Sequence, residues 1–320
     1  MNVLIAGGAG YVGSPMAHRL WSAGHTVTVL DRLSFGAESL AELIGDPRFR
    51  LIKGDIRDEA VVREALQGQD AVCLLAAIVG EPACNRDPDE ARDINLGGAR
   101  TLLRLSQEAG VKRFVFASTC SNYGVADTSK PVDEDAPLNP ISVYSETKVQ
   151  AEEEILATAS DTFCPTVLRL STAFGVSPRM RFDLLVSDFT LAAVKDKKVV
   201  IYGEQFWRPF IHVRDIAKGF ETVLNADPAQ VRGEVFNLGG DHNNTRKIEL
   251  GESVVKHIDD AELEFVELNN DPRSYRVAFG KVKKTLGFEP DWSIDDGVAE
   301  VGQALRQQVW PDPMDGRYRN

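Results

Sequence analysis

The chain has 320 residues, of which 43% are apolar and 26% charged, and its formal net charge is −12. This length allows a full core and sits near the upper limit for one domain, so one large lobe with a smaller one is expected. The ordinary composition excludes a disordered chain, and the acidic balance excludes nucleic acid and anionic membrane as partners of most of the surface, because both need a basic face.

The first residues meet glycines at once, leaving neither a basic leader nor room for a signal-peptide core. The longest apolar stretch, from residue 71 to 79, is far short of the roughly 20 residues that span a bilayer. A cytoplasmic protein without membrane contact is therefore expected. Cysteines at 73, 84, 120 and 164 form no C-x-x-C pair, which points to reduced thiols and argues against a metal site or a disulfide framework.

In chain order, residues 2–6 form a short apolar run that ends in Gly7-Gly8-Ala9-Gly10-Tyr11-Val12-Gly13. Residues 14–23 follow with helical periodicity, then 26–30 as a second strand closing on Asp31. Further strands are predicted at 50–53, 71–76, 113–117 and 166–170, with helices near 58–67, 89–109 and 143–158. Strands alternating with helices at this spacing predict an α/β fold, a Rossmann-type doubly wound parallel sheet covered on both faces. Beyond about Gly175 the alternation weakens and prolines punctuate shorter elements. A smaller α+β substrate-binding lobe is expected from 171–209 and 231–320, leaving 1–170 and about 210–230 to the dinucleotide domain. A cleft between the two would lie at the carboxyl ends of the strands.

Glycines 7, 10 and 13 let the backbone turn sharply, approach a pyrophosphate and pack the helix against the sheet, and the helix N-terminus offers free N–H groups to phosphate. A glycine-rich match alone signals only a tight turn. Here a strand precedes it, a helix follows it, and Asp31 ends the next strand at the distance suited to bind the adenosine ribose. That carboxylate favours NAD over NADP, although Arg32 beside it is of the type that holds a 2′-phosphate.

Tyr144 and Lys148, four residues apart at the start of a predicted helix, share one face. A tyrosine with its ordinary pKa is a poor base at neutral pH, whereas an ammonium about 4 Å away would favour the phenolate by roughly 4 kcal/mol at an effective dielectric of 20. The buried strand 114–117 runs into Ser118-Thr119-Cys120-Ser121, placing a hydroxyl at the carboxyl end of a central strand, where it is suited to hold a substrate hydroxyl during deprotonation. A Y-x-x-x-K match by itself is common on solvated helices. The ordered combination with the dinucleotide fingerprint is not.

With GGAGYVG, DRLSFG, GDIRD at 54–58, LLAA at 74–77, STCSNYG at 118–124, YSETK and RPFIHVRDI at 208–216, the chain resembles the extended short-chain dehydrogenase/reductases, in particular the NDP-sugar epimerase/dehydratase group, over essentially its whole length. The resemblance implies Tyr144 as base, Lys148 as holder of the nicotinamide ribose, and Thr119 as the third catalytic residue. It further implies a cofactor site of Gly7, Gly10, Tyr11, Val12, Gly13, Asp31, Asp55, Ile56, Leu75, Ala76, Ala77, Asn95 and Ser118, with Asp55 and Ile56 near the adenine and Asn95 ordering the central helix.

The second half holds arginines 179, 181, 208, 214, 273 and 276, suited to an anionic sugar nucleotide because the guanidinium fork matches phosphate oxygens. By resemblance Arg208 and Arg273 contact the nucleotide diphosphate, and Glu81, Thr119, Cys120, Ser121, Thr172, Arg179 and Arg181 lie near the substrate. Dehydratases of the resembled group carry an Asp-Glu pair after the threonine, where this chain has Cys120 and Ser121, so dehydration is disfavoured. Four outcomes stay open. The first is an epimerase passing through a 4-keto sugar. The others are a net 4-dehydrogenase, a 3,5-epimerase using Cys120 (against a plain buried thiol), and a non-catalytic dinucleotide-binding scaffold. The same resemblance implies a homodimer paired through a helix bundle.

Overall fold

A computed structural model describes residues 1–267 and 273–320. In the first half the strands are β1 (Asn2–Ala6), β2 (Thr26–Asp31), β3 (Phe49–Lys53), β4 (Ala71–Leu74), β5 (Arg113–Thr119) and β6 (Cys164–Leu170). The helices among them are α1 (Gly13–Ser22), α2 (Glu59–Ala65), α3 (Glu81–Arg86), α4 (Pro88–Arg92), α5 (Ala99–Glu108) and α6 (Val143–Leu156), with a π-helical turn, Asp93–Gly98, joining α4 to α5. The second half runs β7 (Thr172–Phe174), α7 (Leu185–Asp196), β8 (Lys198–Tyr202), β9 (Trp207–His212), α8 (Val213–Asn225), α9 (Pro228–Val231) and β10 (Glu234–Leu238). It continues with β11 (Asn244–Arg246), α10 (Lys247–His257), β12 (Glu262–Val266), α11 (Gly280–Leu286) and α12 (Ile294–Arg306).

Seven parallel strands form the main sheet in the order β10-β6-β5-β4-β1-β2-β3. Its central strands read as continuous apolar runs because helices cover both faces: β4 is buried throughout, and so is β1 after Asn2. On one face Met16 and Leu20 of α1 and Phe220 and Leu224 of α8 share a core, and on the other Val62 of α2, Leu102 of α5 and Ile155 of α6 share a second. The chain winds away from β1 through β2 and β3, then returns to place β4 on the other side of β1. This reversal opens a crevice outside the carboxyl ends of β1 and β4, where such sheets bind ligands.

The smaller lobe combines a three-stranded sheet, β11-β9-β7, with a two-stranded one, β12-β8, around Phe174, Val199, Ile201, Phe210, Leu250 and Val298. Two stretches that the sequence placed in this lobe lie elsewhere. Strand β10 pairs with β6 at the edge of the main sheet, and Val277, Phe279, Val282 and Phe288 pack into the core beneath it. A five-residue strand has too little pattern to reveal which sheet it extends; burial against β6 decides it. Residues 271 and 272, which open the DPRSYR motif, lie outside the described residues.

Candidate functional site

The glycine turn is built by collision avoidance. Gly7 has φ +90, and a Cβ there would sit 2.6 Å from the Ala76 nitrogen, while a Cβ on Gly13 would strike the Gly7 carbonyl oxygen. Gly10 differs: a Cβ there would find only the Gly7 oxygen, 3.5 Å away, so the turn has room above Gly10. No side chain caps α1 at Val12; the Ser14 amide donates to the Gly10 carbonyl at 2.9 Å and residue 15 is proline, which leaves the amides of Val12 and Gly13 to meet an anion. Tyr11 sends its side chain away from the turn, its hydroxyl donating to the Gly175 carbonyl of the smaller lobe at 2.7 Å, so only its backbone serves the turn. The Ala6 carbonyl accepts from Leu75 and Ala76 at 2.9 and 2.8 Å, which sets the 75–77 segment beside Gly7.

Asp31 ends β2 with its two oxygens accepting from the amides of Ala9 (3.0 Å) and Leu33 (2.8 Å). Arg32, the residue that raised the question of a 2′-phosphate, stands 3.6 Å from Asp55 and 3.6 Å from Glu90. Asp55 is held chiefly by Arg57, whose hydrogen bonds at 2.7 to 3.0 Å keep its carboxyl below the usual range against the opposing effect of burial. Ile56 packs its side chain into the α2/α5 core. An open glycine turn, a helix start without a side-chain cap and a carboxylate at the end of β2 together fit a dinucleotide.

Thr119 closes β5, and its Oγ1 accepts from the Ser121 amide at 3.1 Å. Helix α6 starts with a capping box between Ser142 and Ser145, which fixes the first turn and thereby the direction of Tyr144. Tyr144 lies near Thr119, and burial raises its hydroxyl above the ordinary tyrosine range. Cys84 and Tyr275 act in the same direction, while Arg181 and the neighbouring Thr119 hydroxyl oppose it. Lys148 lies on the same helix face as expected, with its ammonium 5.8 Å from the Tyr144 ring centre. It does not bond to the phenol: Nζ donates to the Ala117 carbonyl at 2.8 Å and sits over the Phe116 ring. Burial lowers its pKa to about 8. The close ammonium–phenol pair expected from the spacing is therefore looser, because the strand carbonyl competes for the ammonium.

Asn95, 2% exposed in the π-helical turn, accepts from the Ile78 amide at 2.7 Å and donates to its carbonyl at 3.0 Å, with Thr147 of α6 at 3.5 Å. One amide thus ties the loop after β4 to α6. Ser118 faces the other way, its hydroxyl donating to Glu152 at 2.8 Å; Glu152 pairs with Arg169, which donates to Tyr123 at 2.9 Å. Alternation along β5 explains this: Thr119 points to the cleft, Ser118 to the buried network. The Ser118 side chain is thus turned away from the cleft, which leaves its backbone as the part that could meet the cofactor.

Cys120 is also corrected. Its thiol is in the core, 1% exposed, donating to the Arg169 carbonyl at 3.2 Å, and burial pushes it up to about 12. Such a group neither binds substrate nor acts as the base of a 3,5-epimerase. Ser121, by contrast, lies 3.4 Å from the hydroxyl of Tyr275.

On the facing lobe Arg208 is buried, donating to the Trp207 carbonyl at 2.9 Å and to the Arg273 carbonyl, and it lies over the Tyr275 ring. Arg273 reaches across to Glu81 at 3.0 Å. Arg181 pairs through two bonds with Asp183, at 2.7 and 2.9 Å, and is close enough to affect both Tyr11 and Tyr144. Thr172 begins β7 opposite Phe210. Arg214 is engaged with Glu300 at 2.7 Å, and Arg276 lies over Trp207. Arg179 is not with the others; its guanidinium stacks on Phe35, in the loop after Asp31. Sequence reasoning missed Cys84, whose thiol donates to the Ile78 carbonyl at 3.4 Å close to Lys148, and Tyr275. Tyr275 stands between two arginines in the DPRSYR motif, which is its only signal.

The chain is 32% identical over 326 residues to a dTDP-glucose 4,6-dehydratase of Streptomyces griseus, covering 98% of this chain and 97% of that one. It is 30% identical over 322 residues to a UDP-glucose 4-epimerase of Lactobacillus helveticus, covering 93% and 95%. The crystal structure of DesIV, a dTDP-glucose 4,6-dehydratase from Streptomyces venezuelae with NAD and TYD bound, superposes with a TM-score of 0.87 at 26% identity, covering 98% of this chain and all of that one. The sequence profile of the NAD dependent epimerase/dehydratase family matches residues 3–239, and the chain belongs to that family, with NAD as its cofactor.

Proposed function

We propose that this protein is an NAD-dependent nucleotide-sugar epimerase that inverts a sugar centre through a transient 4-keto sugar. The observation that carries the reading is the surroundings of Thr119: it meets Tyr144 at the carboxyl end of β5, and the two residues after it offer no acid–base pair. Cys120 is turned into the core and Ser121 is a neutral hydroxyl facing Tyr275, so loss of water from a 4-keto sugar would have no proton donor of the Asp-Glu kind there.

In this reading Thr119 holds the C4 hydroxyl and Tyr144, as phenolate, takes its proton. NAD, when bound, supplies a reversible hydride acceptor for the C4 hydrogen. Lys148, anchored by the Ala117 carbonyl, contributes a positive charge near Tyr144 that is present below about pH 8. The proton on Tyr144 returns to the C4 oxygen when the keto sugar is reduced on its other face, so the cycle is redox-neutral. Arg208 and Arg273, opposite Ser121 and Glu81, stand where a nucleotide diphosphate would be gripped while the hexose turns. This reading includes a homodimer paired through a helix bundle, for which α5 and α6 present exposed side chains such as Arg100 and Glu154.

The test is incubation with UDP-, GDP-, dTDP- and CDP-hexoses, following C4 stereochemistry by NMR and NADH by absorbance. Inversion without accumulated NADH supports the epimerase. Stoichiometric NADH with released 4-keto sugar would make it a net dehydrogenase, and a 4-keto-6-deoxy product would overturn the argument from Cys120 and Ser121.

A further inference from the structure

Arg179 belongs to the smaller lobe, in the segment between β7 and α7, yet its guanidinium carbon stands 3.9 Å from the centre of the Phe35 ring. Phe35 lies in the loop that leaves β2, and Asp31 shapes that loop while also holding Ala9 of the glycine turn. The residues just before Arg179 are docked on the same turn. The Ser177 hydroxyl donates to the Tyr11 carbonyl at 2.7 Å and lies 3.4 Å from the Ser14 hydroxyl, next to the bond from Tyr11 to Gly175. Arg179 therefore sits where the glycine turn, the Asp31 loop and the smaller lobe converge.

Its surroundings leave its charge without a direct partner. Arg179 is 7% exposed, Nη2 donates to the Asn320 side chain at 2.9 Å and to the Arg319 carbonyl at 3.3 Å, and Nε has no partner. Among the described residues no carboxylate stands within ion-pair distance of it, whereas the neighbouring Arg181 is neutralised by Asp183. Burial lowers the Arg179 pKa to about 10, with Arg181 adding to the effect and Asp183 and Asp31 opposing it. A buried cation with an unmatched N–H is costly unless an anion meets it. Phe35, 45% exposed, offers a flat platform for the guanidinium in the loop beside the turn.

We propose that Arg179 is a dinucleotide-binding residue, through which the smaller lobe delivers a guanidinium to the phosphates of NAD at the glycine turn, with Phe35 as its platform. The expectation from sequence placed this arginine at the sugar nucleotide instead. The inference rests on the use of NAD and is independent of whether the reaction is an epimerisation. A cation from the second lobe at this position would also make cofactor retention depend on the two lobes staying together.

Isothermal titration of nucleotide-stripped protein with NAD, ADP-ribose, NADP and UDP tests it. Arg179→Met is expected to weaken NAD and ADP-ribose at least tenfold each and to leave UDP unchanged. Phe35→Ala, a surface change that keeps the fold if Arg179→Met does not, is expected to weaken NAD and ADP-ribose about threefold. Unchanged NAD and ADP-ribose affinity in both variants would overturn the proposal, as would a loss confined to UDP. A loss for NADP much larger than for NAD would also overturn it, by assigning the arginine to a 2′-phosphate. Wild-type protein that binds UDP but neither NAD nor ADP-ribose would instead contradict the use of NAD itself.

Discussion

The Lys148 ammonium donates to the carbonyl of Ala117 at 2.8 Å, so α6 is anchored by its cation to the very strand that carries Thr119 two residues on. A buried ammonium with one strong acceptor is held in place at the expense of its proton affinity, and burial brings its pKa to about 8. The unfolded value lies near 10.4. Below about pH 8 the lysine is charged in both states and the full desolvation cost is present. Between about pH 8 and 10.5 the unfolded chain binds more protons, so this group's contribution to stability rises with pH. Lys148→Met removes that dependence. The stability of the variant minus that of the wild type should fall by on the order of 3 kcal/mol between pH 7 and pH 10.5, as read by urea unfolding at each pH. A pH-independent difference would mean that Lys148 titrates normally.

Tyr144→Phe removes the proton acceptor and leaves the ring between Thr119 and Lys148. Turnover should fall by at least a thousandfold while NAD affinity changes little, measured by product NMR and calorimetry. Near-normal turnover would overturn the role of Tyr144. Because burial raises this hydroxyl, the rate should climb with pH while Lys148 stays charged, and stop climbing above about pH 8.

Gly10→Ala and Gly13→Ala separate function from folding. The first adds a methyl group where the protein has space, so the unfolding midpoint should hardly move while NAD affinity drops at least tenfold. The second drives a Cβ into the Gly7 carbonyl, and should cost several kcal/mol or abolish soluble expression. Equal effects of the two on stability would show that the turn has no room above Gly10.

Breaking the buried Glu152–Arg169 pair should be severe. Glu152→Ala leaves Arg169 charged and unmatched in the core, together with Ser118 and Asn122, and a loss of about 3–5 kcal/mol is expected in urea unfolding. Loss below about 1 kcal/mol would mean that water reaches the pair.

Cys120→Ala deletes a thiol that touches only the core and the Arg169 carbonyl. Turnover and product stereochemistry should match the wild type, with about 1–2 kcal/mol lost in stability. A large drop in turnover with unchanged stability would restore Cys120 as a reacting group.

Much of the cofactor side is legible in the sequence, because its chemistry is local. A strand, three glycines at set spacing, a helix and Asp31 all follow from short-range sterics and hydrogen bonding, and the structure places them as expected. The same holds for Tyr144 and Lys148, whose shared face follows from helical period alone. Side-chain direction along β5 is less accessible: Thr119, Cys120 and Ser118 are adjacent, yet one faces the cleft, one the core and one a buried ion pair.

Pairings between residues far apart in the chain are beyond its reach. No local pattern says that β10 extends the main sheet, that Ala117 takes the Lys148 ammonium, that Glu81 meets Arg273, or that Arg179 crosses to Phe35 while Arg181, two residues on, stays near Tyr144. Sequence by itself determined the chemistry available at the site, since residue type and short spacing set which protons and charges can be offered. Only the tertiary structure decided where each arginine acts, because long flexible side chains take their partners from whatever the packed lobes bring within a few ångströms.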